Sequence, residues 1–134
     1  PQDEIAEPLL GKRVLLVEDN ELNMEISVEM LKMLGAEVLS AWNGEEAVAI
    51  VKESQPWSID LVLMDIMMPG MNGYEATAVI RGLGREDVKQ LPIIALSANA
   101  YSEDILAAKR AGMNDHIAKP INMNVLVPTI QKYL

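Results

Sequence analysis

The chain has 134 residues, half of them apolar and 23% charged, with no cysteine, no phenylalanine, nine methionines and a formal net charge of −9. One domain around one core is expected at this length; disulfides, thiolate metal sites and cysteine nucleophiles are excluded, and the acidic balance argues against nucleic acid as a direct partner, because such binders carry a basic patch. No apolar stretch approaches the roughly 20 residues that cross a bilayer and no secretion signal is visible, so the reading is a soluble, cytoplasmic domain, with a parent polypeptide that can still be membrane-anchored.

Residues 1–11 come first. Pro1-Gln2-Asp3-Glu4-Ile5-Ala6-Glu7-Pro8 is polar and acidic and reads as a linker, which places the folded domain at 12–134 and suggests a piece cut from a longer polypeptide. From there strand and helix patterns alternate: strand Arg13–Val17, helix Glu21–Leu34, strand Glu37–Ala41, helix Gly44–Glu53, strand Leu61–Met64, helix Tyr74–Gly82, strand Pro92–Leu96, helix Ser102–Ala111, strand His116–Ala118 and helix Asn122–Tyr133. Repeated βα units predict an α/β fold, a five-stranded parallel sheet with helices on both faces. The first, third and fourth strands are continuous apolar runs, suited to burial on both sides. Gly35 and Gly112 are placed to take the left-handed position that ends a helix, while Asn43 and Ser102 can cap the helices that follow them. The charged segment from Gly82 to Leu91 reads as a solvated loop.

The first helix carries two apolar stripes. At about 100° per residue, Met24, Val28 and Leu31 fall on one, and Leu22, Ile26, Met30 and Met33 on the other. The first is expected to face the sheet and the second to form an apolar docking patch beside the strand ends. A wide core-facing arc that buries both is the competing reading.

Each of four strands ends in a residue suited to phosphate or metal chemistry. Val14–Val17 runs into Glu18-Asp19, Leu61–Met64 into Asp65, Ile93–Leu96 into Ser97, and His116–Ala118 into Lys119-Pro120. Ligands of open α/β sheets bind in the crevice outside the carboxyl ends of the strands, so these side chains are expected to converge. Clustered carboxylates call for a cation, and Mg²⁺ (or Mn²⁺) suits one or two direct carboxylates with waters and a carbonyl. Asp19 and Asp65 would be direct ligands, Glu18 would act through water, and the Met67 carbonyl would complete the protein share. Asp65 is the candidate nucleophile, since carboxylates attack phosphorus to form acyl phosphates. Lys119 and Ser97 would offset and hydrogen-bond the phosphoryl oxygens. Taken singly, each of these residues is more often a cap, a turn residue or a surface lysine; their joint occurrence in order reverses that balance.

The runs Val17-Glu18-Asp19-Asn20, Met64-Asp65-Ile66-Met67-Met68-Pro69-Gly70, Ala95-Leu96-Ser97-Ala98 and Ala118-Lys119-Pro120 resemble the receiver domain of two-component response regulators. The likeness covers about Lys12 to Leu134. Asn20-Glu21-Leu22-Asn23, Gly73-Tyr74-Glu75-Ala76 and Gly112-Met113-Asn114-Asp115-His116 are most similar to receivers of hybrid sensor histidine kinases. The resemblance implies a flavodoxin-like (βα)5 fold with strand order 2-1-3-4-5. It implies that Asp65 accepts a phosphoryl group from a phosphohistidine on a histidine kinase or histidine phosphotransfer domain, the domain catalysing its own phosphorylation and dephosphorylation. It also implies Mg²⁺ at Glu18 and Asp19, Ser97 as a moving switch, and a cis bond before Pro120. His116 occupies a second switch position that in this family usually holds an aromatic residue, while Met67 and Asn99 occupy positions that influence phosphoryl lifetime. The partner surface would comprise Leu22, Ile26, Met30 and Pro120, on a domain expected to be monomeric. Alternatives are a stand-alone response regulator, a receiver-like binding module that is never phosphorylated, and a haloacid-dehalogenase-like phosphatase. The last typically has an acidic residue two positions after its nucleophile, where this chain has Met67.

Overall fold

The structure, a computed structural model, describes residues 7–98 and 102–134, with the backbone alone at Ser102. Its elements are β1 (Arg13–Val17), α1 (Glu21–Met33), β2 (Glu37–Ala41), α2 (Gly44–Glu53), β3 (Leu61–Asp65), α3 (Gly73–Arg81), α4 (Glu86–Gln90), β4 (Ile93–Ser97), α5 (Ser102–Ala111), β5 (Asp115–Ala118) and α6 (Met123–Gln131). The five strands form one parallel sheet in the order β2-β1-β3-β4-β5, the flavodoxin-like order that the resemblance implies. Boundaries agree with the sequence reading to within two residues, the ordinary uncertainty of element ends.

The core has two halves because strand side chains alternate between faces. Leu15, Val17, Val62, Met64, Ile93 and Ala95 pack on one side against Ala47 and Val51 of α2, Ala76 and Ile80 of α3, and Ala108 of α5. Val14, Leu16, Leu61, Leu63, Ile94 and Leu96 pack on the other against Met24 and Leu31 of α1 and Leu126 and Ile130 of α6. β1, β3 and β4 are almost wholly inaccessible, as their unbroken apolar runs require, while the edge strand β2 is partly open to solvent. Local chemistry sets the helix ends. Asn20, Asn43, Asn72 and Asn122 each accept a backbone N–H three residues on, and Asn72 with Glu75 forms a reciprocal capping box. Gly35 and Gly112 take positive φ, at +96° and +105°. The cap assigned to Ser102 lies outside the described side chains.

Two features depart from the sequence reading. Within Gly82–Leu91, expected to be a loop, residues Glu86–Gln90 form α4. Five residues are too few to display helical periodicity, and this helix is held by tertiary contacts. Val88 is buried, while Arg81 of α3 donates to the carbonyls of Val88 and Leu91. Leu9, inside the stretch read as a linker, is 1% exposed, packs with Leu34 and Ala36, and donates its N–H to the Leu34 carbonyl at 2.9 Å. Truncating such a side chain costs about 2–5 kcal/mol.

The two stripes of α1 separate as expected. Met24 and Leu31 are buried and Val28 packs against them half-buried, whereas Leu22, Ile26 and Met33 are 63%, 48% and 65% exposed and Met30 is half-buried.

Candidate functional site

The carboxyl ends of β1, β3, β4 and β5 bring the chemistry together. Glu18 follows β1 directly and is 1% exposed, Asp65 ends β3 at 2%, and Ser97 ends β4, also buried. Asp19 is exposed at the mouth. Carboxylate oxygens of Glu18, Asp19 and Asp65 lie within 4.8 Å of one another. Lys119, just beyond β5, places its Nζ 3.0 Å from Glu18 Oε1 and 3.1 Å from Asp65 Oδ2. Its own N–H donates to the Ser97 carbonyl at 2.7 Å, and Ser97 pairs with Ala118 in the sheet, so β4 and β5 share one frame. The Lys119–Pro120 peptide bond is cis.

Backbone groups aim the two buried carboxylates. Glu18 Oε2 accepts the Asn20 N–H at 3.1 Å, and Asp65 Oδ1 accepts the Met67 N–H at 3.2 Å. Behind Asp65 the chain turns tightly into α3, where a Cβ on Gly73 would run into the Asp65 carbonyl oxygen. The first position of α3 must therefore be glycine for the nucleophile's backbone to sit where it does.

This packing leaves negative charge in excess. Burial first, and the neighbouring Glu18 carboxylate second, push the Asp65 carboxyl up to about 7 even though Lys119 pulls the other way. For Lys119, burial acts to lower the pKa, but hydrogen bonds and ion pairs with Glu18 and Asp65 outweigh it and the net shift is upward. One ammonium does not neutralise three carboxylates. An all-oxygen donor set with that residual charge fits a hard divalent cation, which takes carboxylate, carbonyl and water oxygens.

Of the other residues assigned to the site, Met67 points its side chain outward at 74% exposure, and Pro120 is exposed at the rim. Leu22 is exposed in the first turn of α1 and Met30 is half-buried further along it, while Ile26 stands beside the site. Ile26, Pro120 and Ile121 line a recess of about 50 Å³ beside Glu18 and Lys119, with Asn23 and Ser27. His116 lies on β5 three residues before Lys119, its side chain one-third exposed, with Nδ1 3.8 Å from Asp115 Oδ1. Asn99 lies outside the described residues. Sequence reading missed the backbone N–H groups of Asn20 and Met67, which no residue type can announce, and the buried Ser27, a polar residue that shares the core-facing side of α1 with Met24 and Leu31.

Comparison with known proteins points the same way. Residues 14–131 match the family model described as response regulator receiver domain. A hybrid signal transduction histidine kinase L from Dictyostelium discoideum is 41% identical over 135 residues, 98% of this chain and 8% of that protein. The response regulator DivK of Brucella anthropi is 35% identical over 125 residues, covering 93% of this chain and 98% of its own. Among solved structures, the receiver domain of a sensor histidine kinase from Pseudomonas aeruginosa PAO1, with a magnesium ion coordinated in its active site cleft, superposes with a TM-score of 0.81 at 38% identity. That match covers 91% of this chain and 96% of the other.

Proposed function

The chain belongs to the response regulator receiver domain family, and on that premise we propose that it is the phosphoacceptor of a two-component phosphorelay, taking its phosphoryl group from a phosphohistidine onto Asp65. The observation that carries this reading is the placement of a buried carboxylate, Asp65, with one oxygen 3.1 Å from Lys119 Nζ and two further carboxylates beside it. An Asp65 oxygen attacks phosphorus, the P–N bond to the donor imidazole breaks with its electron pair going to nitrogen, and an acyl phosphate forms. Hydrolysis later returns the carboxylate and inorganic phosphate. Such a transfer depends on position and charge compensation more than on proton movement.

The residues divide the work. The Met67 N–H holds one Asp65 oxygen, leaving the other to react. Lys119 is already at the site and passes from carboxylate to phosphoryl oxygens as they arrive. Asp19 and Asp65 would hold Mg²⁺ or Mn²⁺ directly, with Glu18 through water and the Met67 carbonyl alongside. The bound cation supplies charge compensation for the carboxylates and the phosphoryl group. Ser97 and His116 would serve as switch residues on the two strands that flank Lys119. Leu22, Ile26, Met30 and Pro120 would meet the donor, a histidine kinase or phosphotransfer domain.

A hybrid sensor histidine kinase is the favoured parent, since the chain spans 8% of such a relative, and the cytoplasmic side of a membrane-anchored protein is the corresponding location. Among the described residues no helix is long and apolar enough to cross a membrane. A stand-alone regulator is the second reading, favoured by the match to nearly all of DivK. Incubation with acetyl phosphate and Mg²⁺ followed by intact-mass measurement tests the chemistry. One base-labile phosphoryl adduct is expected; no adduct, or an adduct retained by Asp65→Asn, would falsify the reading.

A further inference from the structure

Gly44 opens α2, in a βα unit that contributes no side chain to the site. Its φ is not positive, so backbone freedom does not account for a glycine here. Close contact does. A Cβ at Gly44 would come within 2.6 Å of the Met71 carbonyl oxygen and within 3.0 Å of Met71 Cβ and Cγ. The first turn of α2 is therefore seated directly on the segment that leads from Asp65 to α3. The carboxylate of Glu45, the next residue, lies beside Gly70 of the same segment.

The two sides of this contact are not equally firm. Asn43 Oδ1 accepts the Glu46 N–H at 2.8 Å, Glu46 Oε1 accepts the Trp42 N–H at 2.8 Å, and the Ala47 N–H donates to the Asn43 carbonyl at 3.1 Å. Further along the helix, Ala47 and Val51 are buried in the core. The segment opposite rests on the buried Met68 and the half-buried Met71, while Met67, Pro69 and Gly70 are exposed. An added side chain at position 44 thus displaces the segment rather than the helix. The chain carries that displacement to Met67, whose N–H holds Asp65 Oδ1 at 3.2 Å and whose carbonyl belongs to the expected cation set.

Resting on the reading of Glu18, Asp19, Asp65 and the Met67 carbonyl as a divalent-cation site, we propose that Gly44 is a positioning residue for that site. The start of α2 fixes the place of the Met67 segment beside Asp65, and glycine is required there because any side chain would push the segment away. Through this one contact β2 and α2, which supply no ligand, govern a site built at the ends of β1, β3 and β5.

Gly44→Ala tests this on the intact chain. Without metal, the Met67 amide, followed by NMR, is expected to exchange its proton about tenfold faster than in wild type, and the Mg²⁺ dissociation constant from calorimetry is expected to rise about tenfold. Val51→Ala, a cavity two turns along the same helix, lowers the thermal transition but leaves both readings within about twofold of wild type. Met71→Ala unseats the segment without crowding it and is expected to move both readings in the same direction by about threefold; it decides the question if Gly44→Ala does not fold. Exchange and affinity unchanged in the folded Gly44→Ala, or in Met71→Ala where the first variant does not fold, overturn the positioning role. So does an equal change in Val51→Ala, since affinity would then follow stability alone. No Mg²⁺ binding by wild type overturns the positioning role and the cation reading together.

Discussion

The two ends of the sheet treat charge in opposite ways. At the N-terminal ends of the strands, Arg85 Nη2 meets Asp87 Oδ2 at 2.7 Å while its Nη1 donates to the carbonyls of Val51 and Ser54. Asp87 also accepts the N–H of Trp57, a residue in the left-handed region at φ 67°. Its hydrogen bond with Arg85, more than any other contact, lowers the Asp87 carboxyl to about 2. Arg81 directs its donors to the carbonyls of Val88, Leu91 and Gly112 and to Asn114 Oδ1, tying α3, α4 and the turn before β5 together. At the C-terminal ends, three carboxylates cluster, Lys119 pairs with two of them, Glu18 and Asp65, and Asp65 is raised to about 7. One end is satisfied and stabilises the fold. The other is left unbalanced, and that imbalance is what a cation and a phosphoryl group can relieve.

Four measurements sharpen or break this contrast. Arg81→Met strips several carbonyls of their donor and should cost about 2–4 kcal/mol in urea unfolding; a loss below the scatter of surface mutants would mean the lower network is decorative. Mg²⁺ at a hundred times its dissociation constant should stabilise wild type by about 2.7 kcal/mol, and Asp65→Asn should remove most of that gain. Without divalent cation the same variant should be more stable than wild type at pH 8, by roughly 1–4 kcal/mol, because the buried, crowded charge is gone. A destabilised variant would show the site to be balanced after all. The smallest effect is expected on the outer stripe of α1. Ile26→Lys should change stability by no more than about 0.5 kcal/mol, while slowing transfer from a protein donor more than from acetyl phosphate. Equal slowing of both transfers would remove Ile26 from the partner surface.

The two ends also predict opposite pH dependence. Asp65 in the fold titrates near 7, above its ordinary 3.8. Between those values the folded chain binds more protons than the unfolded one, so rising pH costs up to about 1.4 kcal/mol per unit. Asp87 is depressed to about 2 from 3.8. Its stabilisation is present above about pH 4 and is lost as pH falls through 2. Asp65→Asn should therefore flatten the limb from 4 to 7 and leave the acid limb in place, read from thermal midpoints across pH.

Much of this was legible before any coordinates. β1, β3 and β4 announced themselves because burial on both faces demands unbroken apolar runs, and Glu18, Asp65 and Ser97 stood out because each follows such a run, while Lys119 follows the shorter, half-polar β5. Strand order came from resemblance, since no local pattern encodes which strand neighbours which. Leu9 was hidden by acidic and proline neighbours, and α4 by its length. Arg81 and Arg85 carry no local signal of the carbonyls they reach, which belong to residues brought near only by folding.

By itself, then, the sequence determined the alternation of elements, the residue types waiting at each strand end and the presence of two apolar stripes on α1, because period and composition are local properties. Only the tertiary structure decided that Lys119 bridges Glu18 and Asp65, that Asp65 is pushed up to about 7 and that Gly44 abuts the segment after Asp65. Electrostatic energy depends on distance and on how much water has been excluded, and both are set by residues far apart in the chain.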